Sequence, residues 1–116
     1  MTNKIKLWID DERLAPPGWL CIKTAPLAIA FIRDCTTSGD LTNIEAISFD
    51  HDLGSSECGT GYEVAAWLEE IVHCEPEVVY LPTMTIHSAN PVGRVRLDSA
   101  IKSMQHVVQQ RIGGSL

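Results

Sequence analysis

The sequence predicts an α/β fold with a mostly parallel sheet of about four strands, on three observations. Short apolar runs of strand character alternate with longer segments of helical periodicity. Three of those runs end abruptly in polar clusters, "IDDER" at 9–13, "FDHDLG" at 49–54 and "IHSAN" at 86–90. The helical segments open on residues that cap helices.

The elements follow in order. "KIKLWI" at 4–9 is the first strand, and "LAPPGW" at 14–19 is turn chemistry with two prolines and a glycine. "LCIK" at 20–23 is a short strand, reached by a connection of about ten residues, brief for a helical crossover and suited to an edge. Thr24 caps a helix over 25–36, with Leu27, Ala28, Phe31, Ile32 and Cys35 on one face. Residues 37–43 form a loop, and "IEAISF" at 44–49 is a third strand. A long loop at 50–60 leads to Thr60 and Glu63, a capping box that starts a helix with Val64, Leu68 and Ile71 inward and Trp67 beside them. Val78, Val79 and Tyr80 read as extended, and "TMTIH" at 83–87 is the fourth strand. Asn90 and Pro91 open a last helix over 91–112, with Leu97, Ile101, Met104 and Val108 inward and Gly113 and Gly114 ending it. With no repeats and no low-complexity linker in 116 residues, one domain is expected.

The net charge of −6 argues against a duplex-DNA surface, which needs a basic excess. No apolar run reaches membrane-span length and no signal-peptide pattern is present. The four cysteines are widely scattered, without zinc spacing, as expected of reduced thiols in the cytoplasm.

In open parallel sheets, ligands bind beyond the carboxyl ends of the strands. If the strands are parallel, the three polar exits share one edge. Asp10, Asp11 and Asp50 then form an oxygen set suited to magnesium or manganese, and a cation offsets the repulsion between the carboxylates. His51 and His87 are an acid–base pair able to open a cyclic phosphate. Asp52 orients His51 or completes the metal shell. Ser88, Asn90, Arg94 and Arg13 are candidates to hold phosphate, helped by the N-terminal ends of the helices beginning at Thr60 and Asn90. The loop "LGSSECGT" at 53–60 lacks the P-loop ending and is a candidate flap, and Trp8 and Trp19 are candidates to stack on a base.

Two acids after the first strand, an Asp after the third and a hydroxyl residue after the fourth resemble a response-regulator receiver domain. That resemblance implies metal at Asp10 and Asp11, phosphoryl transfer to Asp50 and a role for Ser88. The chain departs from receivers in lacking a fifth strand and its lysine. "LWIDDER", "SFDHDLG", "GTGYEVAAWLEE" and "HSANPVGRVRL" more closely resemble the cyclic-phosphate processing receiver-like family, over nearly the whole chain. This resemblance implies a receiver-like (flavodoxin-like) three-layer sandwich without the last receiver strand. It also implies action on cyclic nucleotides or RNA 2′,3′-cyclic phosphate ends, and a place among phage or bacterial conflict systems.

The expected activity is therefore that of a metal-assisted phosphoesterase on a cyclic phosphate. Asp50 as a nucleophile is a variant of it. The D-x-D of 50–52 is only weakly similar to haloacid-dehalogenase phosphatases, which carry it after their first strand. A binding module that sequesters a cyclic nucleotide, or a degenerate phosphoacceptor receiver, are the alternatives.

Overall fold

The computed structural model describes residues 4–36, 41–53 and 58–113. Its order is β1 (Ile5–Ile9), β2 (Leu20–Ile22), α1 (Ala25–Cys35), β3 (Ile44–Phe49), α2 (Gly61–Cys74), β4 (Thr83–Ile86) and α3 (Pro91–Gly113). The sheet runs β2-β1-β3-β4 and every pairing is parallel. The second strand is thus an edge strand joined to β1 by a loop. Residues 78–80 form no strand.

Register separates the two sheet faces. Leu20, Leu7, Ile47 and Met84 pair across one row, and Ile22, Ile9 and Phe49 across the next. These share a face whose central members Leu7, Ile9, Ile47 and Phe49 are fully buried. Lys6, Trp8, Cys21, Ser48, Thr83 and Thr85 point the other way, because strand side chains alternate.

The helices cover only the first of these faces. The chain passes from β2 over β1 to β3, then onward to β4, so both right-handed crossovers fall on one side. α1 packs on α2 and α2 on α3, and all three contribute to the same core. The α/β sandwich is as predicted, but in place of the expected third layer the far face carries Lys6, Trp8, Cys21, Ala46, Ser48, Thr83 and Thr85, with no helix over it among the described residues. A helix between β1 and β2 would cover it, and residues 10–19 hold a loop there instead.

Local signals hold well. The Thr24 Oγ accepts the Leu27 N–H at 3.3 Å, and the Thr60–Glu63 capping box closes in both directions. Two inward positions shift. α1 buries Ala25, Ala28 and Ile32, and Leu27 is 61 % exposed, since it lies about 130° around the helix from the middle of that stripe. In α2 the stripe runs through Gly61, Val64, Ala65, Leu68 and Val72, leaving Ile71 half-buried at its edge. α3 buries Leu97, Ile101, Met104 and Val108 as expected. Arg111, in its last turn, donates to the carbonyls of Glu75 and Val78 at 2.9 Å, tying α3 to the end of α2.

Candidate metal and phosphate site

Ladder hydrogen bonds continue one residue past three strands. The Asp10 N–H donates to Ile22 O (3.2 Å), the Asp50 N–H to Ile9 O (2.9 Å) and the His87 N–H to Phe49 O (2.9 Å). The three polar exits are therefore pinned in a row at the carboxyl edge. One ligand atom each from Asp10, Asp11 and Asp50 lies within 4.8 Å of the others. Asp10 is fully buried and the other two are half-buried.

Asp10 is the most constrained group. Its Oδ1 accepts the N–H groups of Glu12 (2.8 Å) and Arg13 (3.0 Å), an Asx-type turn, and its Oδ2 meets His87 Nε2 at 2.9 Å. Arg13 Nη1 lies 3.9 Å from Oδ2 and also donates to the His87 carbonyl. Burial opposes ionisation of Asp10, but those two backbone N–H groups and the His87 ring outweigh it. The carboxyl is held below the usual carboxylate range. Asp10 thus caps a turn and belongs to the acidic trio at once.

His87 lies flat on the uncovered sheet face, stacked on Trp8 with centroids 3.8 Å apart and planes 5° from parallel. Trp19 meets Trp8 edge-on at 5.9 Å, so the two tryptophans pack on each other. Both His87 ring nitrogens are engaged, Nε2 by Asp10 and Nδ1 by Ser48 Oγ at 2.7 Å. Burial lowers its pKa; Asp10 and Asp50 pull it back up, and Arg13 adds to the lowering.

A second imidazole–carboxylate pair stands across the edge. His51 Nδ1 is 3.0 Å from Asp52 Oδ1, and the Asn90 Nδ2 donates to the Asp52 carboxylate at 3.2 and 3.4 Å. The His51 and Asn90 hydrogen bonds lower the Asp52 pKa, against a small effect of burial. The Asn90 Oδ1 accepts the Gly93 N–H at 2.9 Å and so caps α3 as predicted. The His51 ring packs directly against Gly93, where a Cβ would overlap it. Gly61 likewise lets α2 start against the Asp50 carbonyl, with its N–H donating to His51 O at 2.9 Å.

A cleft of about 250 Å³ opens at this edge, lined by Asp11, Glu12, Arg13, Asp50, Asp52, Ala89 and Asn90. Of the residues picked from the sequence, Asp11, Arg13, Asp50, Asp52 and Asn90 form its wall, and Asp10 lies behind it. His87 stands behind Asp10, and His51 beside Asp52. Ser88 is buried, its Oγ accepting the Asn90 N–H at 3.1 Å. Arg94 is turned away from the cleft: it donates to the carbonyls of Ser88 (3.0 Å) and Ile86 (3.5 Å) and lines a separate shallow cleft with Val95 and Asp98. In α2 the first-turn N–H of Glu63 goes to the capping box. The candidate flap at 53–60 falls partly outside the described residues; within them, Asp52 and Thr60 form an antiparallel bridge. Ser48, Gly61 and Gly93 were not singled out in the sequence. The one signal for Ser48 is a hydroxyl inside an apolar strand.

Four carboxylates on the wall and one behind it face a single guanidinium. That donor set is all oxygen and strongly negative, which suits a hard divalent cation and disfavours a bare anion. The model of one family, the cyclic-phosphate processing Receiver domain, matches residues 5–103. The chain belongs to that family. The matched span holds all four strands, every cleft residue and the first half of α3. No curated protein and no solved structure gives a significant match. No helix among the described residues is long and apolar enough to cross a membrane.

Proposed function

We propose that this protein is a metal-assisted phosphoesterase that opens a cyclic phosphate on a small nucleotide or an RNA end, in the cytoplasm. The observation that carries the reading is the convergence of Asp10, Asp11 and Asp50 within 4.8 Å at the exits of two neighbouring parallel strands. Family membership supports it. These carboxylates would hold magnesium or manganese, which when bound supplies positive charge for the phosphoryl oxygens.

The chain's own residues do the rest. Asn90 and Arg13, on the cleft wall, orient the phosphate. Water adds to phosphorus, one ring P–O bond breaks, the leaving oxygen takes a proton from solvent water in the open cleft, and the product is a phosphomonoester. The proton from water goes to the His51–Asp52 pair. Asp52 accepts from Nδ1–H, which leaves Nε2 as the basic nitrogen, and among the described residues Nε2 has no hydrogen-bond partner. His87 reaches the cleft only through Asp10. The cleft volume, below that of most drug-sized ligand sites, suits a phosphate and its sugar rather than a cyclic dinucleotide.

The test is a screen of 2′,3′-cyclic nucleotides, 3′,5′-cyclic nucleotides, cyclic dinucleotides and RNA ending in a cyclic phosphate. Each is incubated with magnesium or manganese and followed by product mass, beside Asp50→Asn. Opening of a 2′,3′-cyclic phosphate by wild type alone is the expected result. Tight binding of an unchanged compound would instead make the protein a sequestering module.

A further inference from the structure

We infer that Ser48 is a positioning residue for the cation site, acting through the His87 ring to aim the Asp10 carboxylate. This rests on the metal reading above and goes beyond it, because Ser48 lies neither on the cleft wall nor among the acids.

Ser48 sits in β3, in register with Trp8 on one side and Thr85 on the other, and is 2 % exposed. A buried hydroxyl needs a partner, and the partner is His87 Nδ1 at 2.7 Å. The rest of the chain of contacts then follows from donor and acceptor chemistry. An ionised carboxylate only accepts, so the ring proton facing Asp10 must be on Nε2. In the neutral ring, Nδ1 then carries a lone pair, and the Ser48 hydroxyl is the donor that fills it. The Trp8 indole stacked on the ring removes its remaining freedom to tilt.

The acceptor count on Asp10 shows why the ring matters. A carboxylate offers roughly four acceptor positions. Glu12 and Arg13 N–H groups take two on Oδ1, and His87 takes one on Oδ2. One position on Oδ2 remains for a cation, and its direction depends on where Nε2–H sits. Ser48 anchors the opposite end of the same ring. Partners of this kind behind a metal ligand are worth about 10–100-fold in metal affinity.

The experiment compares Ser48→Thr with Ser48→Val, which share a shape and differ in the hydroxyl, in the full chain. Manganese and magnesium binding are measured by calorimetry, with folding checked by thermal melting. The expected result is wild-type affinity in Ser48→Thr and about a tenfold loss in Ser48→Val. Equal affinity in a folded Ser48→Val and wild type would overturn the inference while leaving the metal site standing. A wild type that binds neither cation would overturn both. Nitrogen-15 NMR of the wild-type histidines tests the same point without any variant. A His87 proton on Nε2 with Nδ1 accepting is required, and a proton found on Nδ1 alone overturns the assignment.

Discussion

Two imidazole–carboxylate pairs flank the cleft, and they are built differently. Asp10–His87 is enclosed: the carboxylate is fully buried, both ring nitrogens are bonded, and an indole covers the ring. Asp52–His51 is open only at its carboxylate: the Asp52 side chain is 65 % exposed, while the His51 ring packs on Gly93 and is about as covered as the His87 ring. An enclosed pair is rigid and costly to disturb, which suits holding an ion in place. A pair whose carboxylate faces solvent, with only one ring nitrogen bonded to it, suits moving a proton. The lesson is that the same two residue types, three residues or fewer from a strand end in each case, are given different surroundings by the fold.

The largest effect that can break this contrast comes from Asp10→Ala. It strands two backbone N–H groups and a buried imidazole, so a loss of about 3 kcal/mol or more in urea-unfolding free energy is expected, with loss of manganese binding. A loss no bigger than that of Asp52→Ala would mean the two pairs are equivalent. Next is Gly93→Ala. Its new Cβ meets the His51 ring, and the overlap outweighs the gain in helix propensity, for a net cost of about 1–2 kcal/mol. The paired change Gly93→Ala with His51→Ala should recover only part of it, because it removes the ring but keeps the His51 Cβ, which the new Cβ also overlaps; no recovery at all in the melting temperature would mean that the ring takes no part in the clash.

Acid sharpens the contrast further. The His87 pKa is lowered from 6.5 on folding, so between its folded value and 6.5 the unfolded chain binds more protons. Its contribution is full above 6.5 and is lost as pH falls through the folded value. Asp10 and Asp52, both lowered from 3.8, act with the same sign further down: their contributions are present above that value and are lost as pH falls through their folded values. Urea midpoints should therefore decline on acidification in two stages. In His87→Gln the upper stage should vanish and the lower one remain. The smallest effect is expected from Asp52→Ala itself, under about 1 kcal/mol, because an exposed pair contributes little to stability. Its turnover of a cyclic phosphate should nonetheless fall well below wild type, and full activity would take the proton-transfer role away from the open pair.

Most of the fold is legible in the sequence because its signals are local. Thr24, the Thr60–Glu63 box and the Asn90–Pro91 pair each act within one helical turn, and each does what its spacing predicts. The Asp10, Asp11 and Asp50 convergence is legible too, because strand exits in a parallel sheet share an edge whatever fills the core. Ile71 is less buried than its spacing suggests because an apolar residue at the edge of a helical stripe is covered or exposed by its neighbours alone, and Leu27 is exposed because packing turned α1 so that Ala25, Ala28 and Ile32 face the core.

What the sequence determined by itself is thus the alternation of strands and helices, their caps and the acidic edge, since these depend on residues near in the chain or on a general rule of parallel sheets. The tertiary structure alone decided that the helices cover one face, because that follows from the order in which strands are laid down. It also decided that Arg94 turns to backbone carbonyls and that Ser48, His87 and Asp10 join in one chain of hydrogen bonds. Those contacts span from six to 77 positions in sequence, and a hydrogen bond between groups so separated is set by sheet register and helix placement, which no local pattern records.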